Sequence, residues 1–323
     1  MIRPWRITID TNPDHCNLNC IMCDTHSIYN KDFKPTRKIM EKVLLNKVID
    51  EALALGVKEI IPTTMGEPLL YKHFDIFISK LINNKTKLNL TTNGTFPTIG
   101  VEKWAKKLLP VLSDIKISIN SIDSKINESI MVNDSTLKKL NDIKKFTKIR
   151  DALYPKVSIT LQVTFLDSNL NYLEEIINFS IENNINRVKG HHLWVTYKEI
   201  KSESLQNSNI KIEKWNSFID NINKYKTLIK LVNFEKQVSK KDIDLVPEAY
   251  NCPFLSNEIW IDYNGDFNVC CAPSKIRLSL GKWGSIKSRT IENMFNSIEY
   301  SNLIKNYKNQ KICTICSLRK SDD

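Results

Sequence analysis

Cys16-Asn17-Leu18-Asn19-Cys20-Ile21-Met22-Cys23 follows the first strand-like run of the chain, and its C-x3-C-x2-C spacing governs the reading of everything after it. Three thiolates on one short loop hold three corners of a 4Fe-4S cube and leave the fourth iron without a protein ligand, free to bind a small molecule. The spacing therefore points to an iron-sulfur site with an open coordination position. Structural zinc is the alternative, since closed zinc sites take four ligands and His15 and His26 are close enough in sequence to supply the fourth.

Between residues 5 and 194, short apolar runs alternate with longer segments of helical period. Strands are predicted near residues 6–11, 57–62, 88–92, 115–120, 156–164 and 187–194. Ile39, Met40, Val43, Leu44, Val48, Ala52 and Leu55 recur at helical spacing and Gly56 caps them, so a helix joins the first two strands. Strand, helix, strand implies parallel pairing, and six such repeats make an α/β domain. Residues 1–200 are read as that domain. Residues 201–250 form a bridge with an apolar helical stripe (Ile212, Trp215, Ile219, Ile222) and a strand-like run at 228–232, and residues 251–323 form a small C-terminal domain.

At 323 residues and 41% apolar content the chain can bury sizeable cores. Its apolar runs are far shorter than a membrane span, and charges occupy the first ten residues where a signal peptide needs an apolar core. A cytoplasmic protein is expected. The net charge of +11 comes from lysines scattered through helix-like segments, without the aromatic-studded stripe of a nucleic-acid binder. The 8 cysteines fall into two terminal groups, a distribution that suits metal ligands better than disulfides in a cytosolic chain.

Two further stretches fall in order behind the cysteine loop. Thr64-Met65-Gly66-Glu67-Pro68 ends the apolar run 57–61, and Thr92-Asn93-Gly94 ends the run 88–90. With these three motifs in this order, the chain resembles the radical S-adenosylmethionine (radical SAM) superfamily. The resemblance implies an open, partial (β/α)6 barrel, a 4Fe-4S cluster on Cys16, Cys20 and Cys23, and S-adenosylmethionine chelated to the open iron. Ligands of such barrels gather at the C-terminal strand ends. Cofactor contacts are implied at the Met22 backbone, and at Gly66 and Glu67, whose carbonyls and carboxylate would receive the methionyl ammonium. Asn93, Ser118 and Asn120 would face ribose or carboxylate, with Gln162 and Thr164 as further polar candidates. Met65 and Met22 depart from the glycine and the aromatic common at those places in the family.

After Cys252, a run at 258–263, Asn264-Gly265 and a second run at 266–270 read as a β-hairpin with a type I′ turn. Cys252, Cys270, Cys313 and Cys316 have the order and spacing of the twitch domain, a shortened relative of the SPASM domain. That resemblance implies a second, fully ligated 4Fe-4S cluster, and a four-cysteine zinc knuckle is the alternative from spacing alone. Cys271 is left over. Strand alternation would turn it away from its neighbour Cys270, and it is read as packing, as an alternative ligand, or as a hydrogen-atom donor of the kind some radical SAM epimerases use.

The sixth strand is unusually polar, and alternation places Arg187, Lys189 and His191 on one face with His192 and Trp194 on the other. The first three are read as catalytic, holding an acidic or hydroxylated substrate and accepting a proton. The resemblance implies reductive cleavage of S-adenosylmethionine to a 5′-deoxyadenosyl radical. The layout is similar to that of the butirosin-pathway alcohol dehydrogenase, which implies a two-electron oxidation of a small sugar or aminocyclitol. A reductase or a flavodoxin/ferredoxin-type protein would donate electrons. A peptide-modifying maturase is the enzymatic alternative, although its usual N-terminal leader-binding domain finds no room before residue 16. An iron-sulfur carrier or zinc-held binding scaffold is the non-enzymatic one.

Overall fold

The computed structural model describes residues 3–32, 34–62, 65–237, 246–272, 277–316 and 318–321. Strands β1 (Arg6–Ile9), β2 (Glu59–Pro62), β3 (Lys87–Thr92), β4 (Leu112–Ser118), β5 (Ser158–Phe165) and β6 (Arg187–His192) lie side by side in chain order, each neighbour parallel. Parallel neighbours require crossovers, which the helices supply. The first, α1 (Lys42–Ala54), buries Leu45, Val48, Ile49 and Ala52 against the sheet. It ends where Gly56 turns to φ +69°, a left-handed conformation that suits glycine.

Alternation gives each strand two chemically different faces. In β5, Ile159, Leu161 and Phe165 are completely buried under the helices, while Ser158, Thr160, Gln162 and Thr164 occupy the other face. That second face lines a charged lumen. Arg6 of β1 donates to Glu59 Oε2 at 2.7 Å, and Asn89 and Ser113 complete the Glu59 shell at 2.8 and 2.7 Å. Asp114 accepts from Thr160 at 3.0 Å and from Arg187 at 2.9 Å.

The sheet extends beyond the six expected strands. The bridging segment contributes a helix (Asn209–Ile222) and β7 (Lys230–Val232), the latter parallel to β6. At the opposite edge, β8 (Glu258–Ile261) of the C-terminal region pairs in parallel with β1, and β9 (Phe267–Asn268) returns antiparallel to it. The edge strand β1 is thereby covered, removing a row of unpaired backbone groups. Arg6 Nη1 reaches Glu258 Oε1 at 2.7 Å across this junction.

The hairpin forms with a different turn from the expected type I′. Asp262 and Asp266 pair across a three-residue loop, and within it Gly265 alone takes a positive φ, +92°. The Asp262 carboxylate accepts the N–H groups of Asn264 and Asp266, both at 2.9 Å, so the side chain selects the wider loop with glycine at its left-handed position. Among the described residues no helix is long and apolar enough to cross a membrane.

Candidate functional site

The loop leaving β1 is fastened at several points. Asn19 and Ile21 donate backbone N–H groups to Val132 and Ile130 at 3.0 and 2.9 Å, and Leu18 and Ile21 pack with Ile130, Met131, Leu166 and Leu193. These contacts hold Cys16, Cys20 and Cys23 together at the C-terminal end of the strands. Leu18 N–H points to Cys16 Sγ at 3.5 Å and His26 N–H to Cys23 Sγ at 3.2 Å, arrangements that favour thiolates. Burial opposes them, raising all three thiols and pushing Cys23 up to about 11. The three thiols line one cavity and act on one another's ionisation, and soft donors that need compensating positive charge suit a metal cluster. His26 does not turn its Nε2 toward them: that nitrogen lies 3.3 Å from the Pro13 carbonyl, which can only accept.

Beside the cysteines is a cavity of about 220 Å³ whose wall includes Met22, Gly66, Glu67, Asn93, Ser118 and Gln162. Thr64 of the second motif lies outside the described residues. At Gly66 a Cβ would sit 2.1 Å from the Asn12 carbonyl and 2.7 Å from that of His15, so two backbone segments approach too closely for any side chain. The Asn93 amide lies 3.7 Å from Cys16 Sγ and also donates to Asn17 at 2.8 Å.

Glu67 is placed differently from the expected ammonium acceptor. Its carboxylate is buried and already accepts from Asn93 N–H at 2.7 Å, Thr92 Oγ1 at 2.8 Å and Leu69 N–H at 3.1 Å. Its carbonyl accepts from Asn12 at 2.8 Å. Burial pushes the carboxyl up to about 7 against these hydrogen bonds. The side chain thus ties the turn after β2 to the turn after β3.

Asn120 and Thr164 also differ from expectation. Asn120 is 1% exposed, and its Oδ1 accepts the Thr164 N–H at 2.9 Å, so a polar strand-end side chain serves the backbone of the neighbouring strand. Thr164 Oγ1 in turn meets His191 Nε2 at 3.2 Å. His191 is surrounded by protein yet open to solvent, the condition of a side chain facing a lumen, and burial with the Lys189 charge pushes its pKa down to about 4. Lys189 lies beside Gln162 in register. Arg187 shares this face but stands at the N-terminal end of β6, engaged by Asp114, Thr160 and Ser158, because strand order places it at the end of the lumen away from the cysteines. His192 points to the opposite side, into Phe165 and Trp215 at ring distances of 5.2 and 4.8 Å, as alternation predicts.

Lys139 was missed. On the helix Thr136–Leu153 it is 2% exposed, pairs with Asp134 at 2.5 Å and donates to the Ser118 carbonyl at 3.2 Å. Its charge reaches Cys20 and Glu67. The sequence carried a signal, since Lys139 shares helical spacing with the buried Ile143, Phe146 and Arg150.

In the C-terminal region Cys252, Cys270, Cys313 and Cys316 lie near enough to influence one another's ionisation. Arg319 fastens their loops, donating to the carbonyls of Tyr250 at 2.6 Å and Cys313 at 3.1 Å, while Tyr307 Oη accepts Cys252 N–H at 3.0 Å. A four-thiol donor set fits a closed iron-sulfur centre. Cys271 is not turned away: β9 ends at Asn268, so alternation lapses, and the Cys271 thiol lies close enough to Cys270 for the two to act on each other's ionisation.

Residues 13–180 match the family model for the radical SAM superfamily, and residues 252–317 match SPASM, an iron-sulfur cluster-binding domain. GTP 3′,8-cyclase of Staphylococcus aureus is 31% identical over 134 residues, a match that spans 40% of this chain and 37% of that protein. The fold is similar to that of Streptococcus suis SuiB bound to S-adenosylmethionine, with TM-score 0.69 and 16% identity, covering 98% of this chain and 72% of SuiB. It is also similar to anSMEcpe with bound AdoMet, with TM-score 0.67 and 16% identity over 99% and 88% of the two chains. BtrN in complex with AdoMet and 2-DOIA gives TM-score 0.50 and 14% identity over 94% and 86%. The matched domains carry a 4Fe-4S cluster with S-adenosylmethionine and, in the SPASM region, further iron-sulfur. Both cysteine groups fall inside matched segments, and the first match covers more than half of the sequence: the chain belongs to the radical SAM superfamily and carries a SPASM domain at residues 252–317.

Proposed function

We propose that the chain oxidises a small hydroxylated molecule, of sugar or aminocyclitol type, held in the barrel lumen beneath the cysteine loop. The observation that carries this reading is the continuity from the cysteine-lined cavity, through Ser118 and Gln162, to the polar strand face bearing Lys189 and His191. When bound, the cluster and S-adenosylmethionine supply a 5′-deoxyadenosyl radical as hydrogen-atom acceptor.

The chain's own residues have separable tasks in this scheme. Cys16, Cys20 and Cys23 would hold the cluster; the Met22 backbone, Gly66, Asn93 and Ser118 would receive the nucleoside cofactor. Glu67 fixes the Gly66 and Asn93 turns to each other. Oxidising an alcohol to a carbonyl removes a hydrogen atom, a proton and an electron. His191, neutral because of burial and the Lys189 charge, is available to take the proton at Nε2, where it now meets the Thr164 hydroxyl. Cys252, Cys270, Cys313 and Cys316 would hold a centre suited to the electron, and a flavodoxin- or ferredoxin-type donor would serve the first cluster.

A peptide substrate is the second reading. SuiB has been crystallised with its precursor peptide SuiA and anSMEcpe with the peptide Cp18Cys, on the same fold. The experiment is anaerobic reconstitution, reduction, and assay of 5′-deoxyadenosine with deuterated aminocyclitols or candidate peptides. Deuterium passing from a carbinol carbon into 5′-deoxyadenosine supports the oxidation; deuterium arriving only from peptide rejects it.

A further inference from the structure

The lumen face distributes its ion pairs unevenly. Arg6 is held by Glu59 and Glu258, both at 2.7 Å, and Asp114 serves Arg187 at 2.9 Å and Lys116 at 3.6 Å. Lys189 stands between Arg187 and His191 on the same face of β6, and among the described residues the ion pairs of this face go to Arg6, Lys116 and Arg187, none to Lys189. Burial first, and then the charges of Arg6, Lys320 and Arg187, lower the Lys189 amine from its ordinary range, with Asp114 the one opposing charge, so an anion seated there would relieve a concentration of positive potential. An ammonium enclosed by protein with its local carboxylates committed elsewhere focuses a field that attracts an anion.

The neighbouring groups can complete such a site. Gln162 lies beside Lys189 in register and also lines the cavity under the cysteines, so an anion on Lys189 would be continuous with that cavity. The Gln162 amide can donate to an oxyanion. His191 one step up the strand is neutral and neither repels nor neutralises the bound charge.

We propose that Lys189 is the docking point for an anionic group of the substrate, a carboxylate or a phosphate ester, which anchors one end of the molecule in the lumen while its reacting carbon faces the cysteine-lined cavity. The inference rests on the lumen being the substrate chamber. It narrows the substrate to an acid or a phosphorylated compound and makes Lys189 a binding residue.

The test uses the reconstituted holoenzyme and two small aldehydes of similar size under anaerobic cyanoborohydride: glyoxylate, which carries a carboxylate, and glycolaldehyde, which is neutral. Each forms an imine with a lysine amine, releasing water, and hydride reduction fixes the label for peptide mapping. The exposed Lys125 provides the reference. The expected result is a glyoxylate-to-glycolaldehyde ratio at Lys189 about tenfold above that at Lys125, the discrimination of about 1.4 kcal/mol that one charge contact supplies. Acetate or inorganic phosphate should slow the Lys189 reaction, the better competitor identifying the anion class. Lys189→Arg should keep the fold and lose the label. Equal ratios at the two lysines, or no protection by either anion, would overturn the proposal. Formation of 5′-deoxyadenosine, measured on the same unmodified preparation, separates this failure from failure of the radical reading.

Discussion

The Glu67 carboxylate accepts the backbone N–H of Asn93 at 2.7 Å, so the turn after β2 and the turn after β3 share one buried acceptor. Glu67→Gln replaces one oxygen by a donor, which must face the Asn93 N–H or else the Thr92 and Leu69 donors. The expected loss is about 1–3 kcal/mol of stability from the unmet donor, with weaker S-adenosylmethionine binding because the Gly66 and Asn93 turns are no longer fixed together. Urea unfolding and equilibrium dialysis against labelled S-adenosylmethionine measure the two effects; unchanged values in both would remove Glu67 as a brace.

Gly66→Ala tests the close approach itself. The added methyl would meet carbonyl oxygens of Asn12 and His15 at 2.1 and 2.7 Å, neither at the end of a flexible side chain. The backbone must move, at a cost of about 1–3 kcal/mol for overpacking. S-adenosylmethionine binding should fall further than stability does, and a variant that binds it normally would show that the approach has no bearing on the cofactor.

His191 and Lys189 make a prediction about charge. Burial and the neighbouring ammonium hold the imidazole neutral, with a pKa of about 4. This folded value lies below the ordinary 6.5. As pH falls from 6.5 toward 4, the unfolded chain takes up the proton first, so the stability contributed by neutral His191 is complete above 6.5 and is lost on acidification. The His191 ring resonances should therefore stay in the neutral position down to about pH 5. In Lys189→Met, where the second cause is removed, the titration should move upward. A midpoint near 6.5 in the native protein would contradict the placement of His191 against the lumen wall beside Lys189.

The six parallel strands were legible because the apolar runs and the helical spacing between them are local signals, and the alternation of β6 correctly separated His191 from His192. What the chain does with its polar strand ends was not legible. Asn120, Thr164 and Glu67 look like ligand contacts in sequence, yet each satisfies a backbone or side-chain partner distant along the chain, at separations of 44, 27 and 26 residues. The pairing of β8 with β1 was equally hidden, since 252 residues separate Arg6 from Glu258. Lys139 was missed for a different reason: a lysine on an apolar helix face reads as a tolerated exception until its partner, Asp134, is seen.

Arg6 tests the junction of the two regions. Its guanidinium stands between Glu59 and Glu258, whose side chains are 13% and 7% exposed. In Arg6→Met both carboxylates lose their cation inside the lumen, and the expected destabilisation is about 3 kcal/mol, typical of removing one partner from a largely buried ion pair. The triple variant with Glu59→Gln and Glu258→Gln should regain part of it, because the unpaired charges disappear with their partner. Chemical denaturation reads both. Equal losses in the single and triple variants would mean that packing of the Arg6 stem, rather than charge, holds β8 against β1.

The two adjacent thiols of the C-terminal group can be told apart by iron. Ala272 donates its N–H toward Cys270 Sγ at 3.4 Å, an interaction that favours thiolate there, whereas Cys271 is the partner pushed upward by its interaction with Cys270, by burial and by the neighbouring thiols. Cys270 is therefore expected to be the ligand. After anaerobic reconstitution, Cys270→Ser should fall from about eight irons per chain toward about four, while Cys271→Ser should keep both centres and an unchanged electron paramagnetic resonance spectrum. Loss of iron in Cys271→Ser with retention in Cys270→Ser would exchange the two assignments. Retention in both would mean that either thiol can complete the site, the outcome their contact makes possible when one of them is removed.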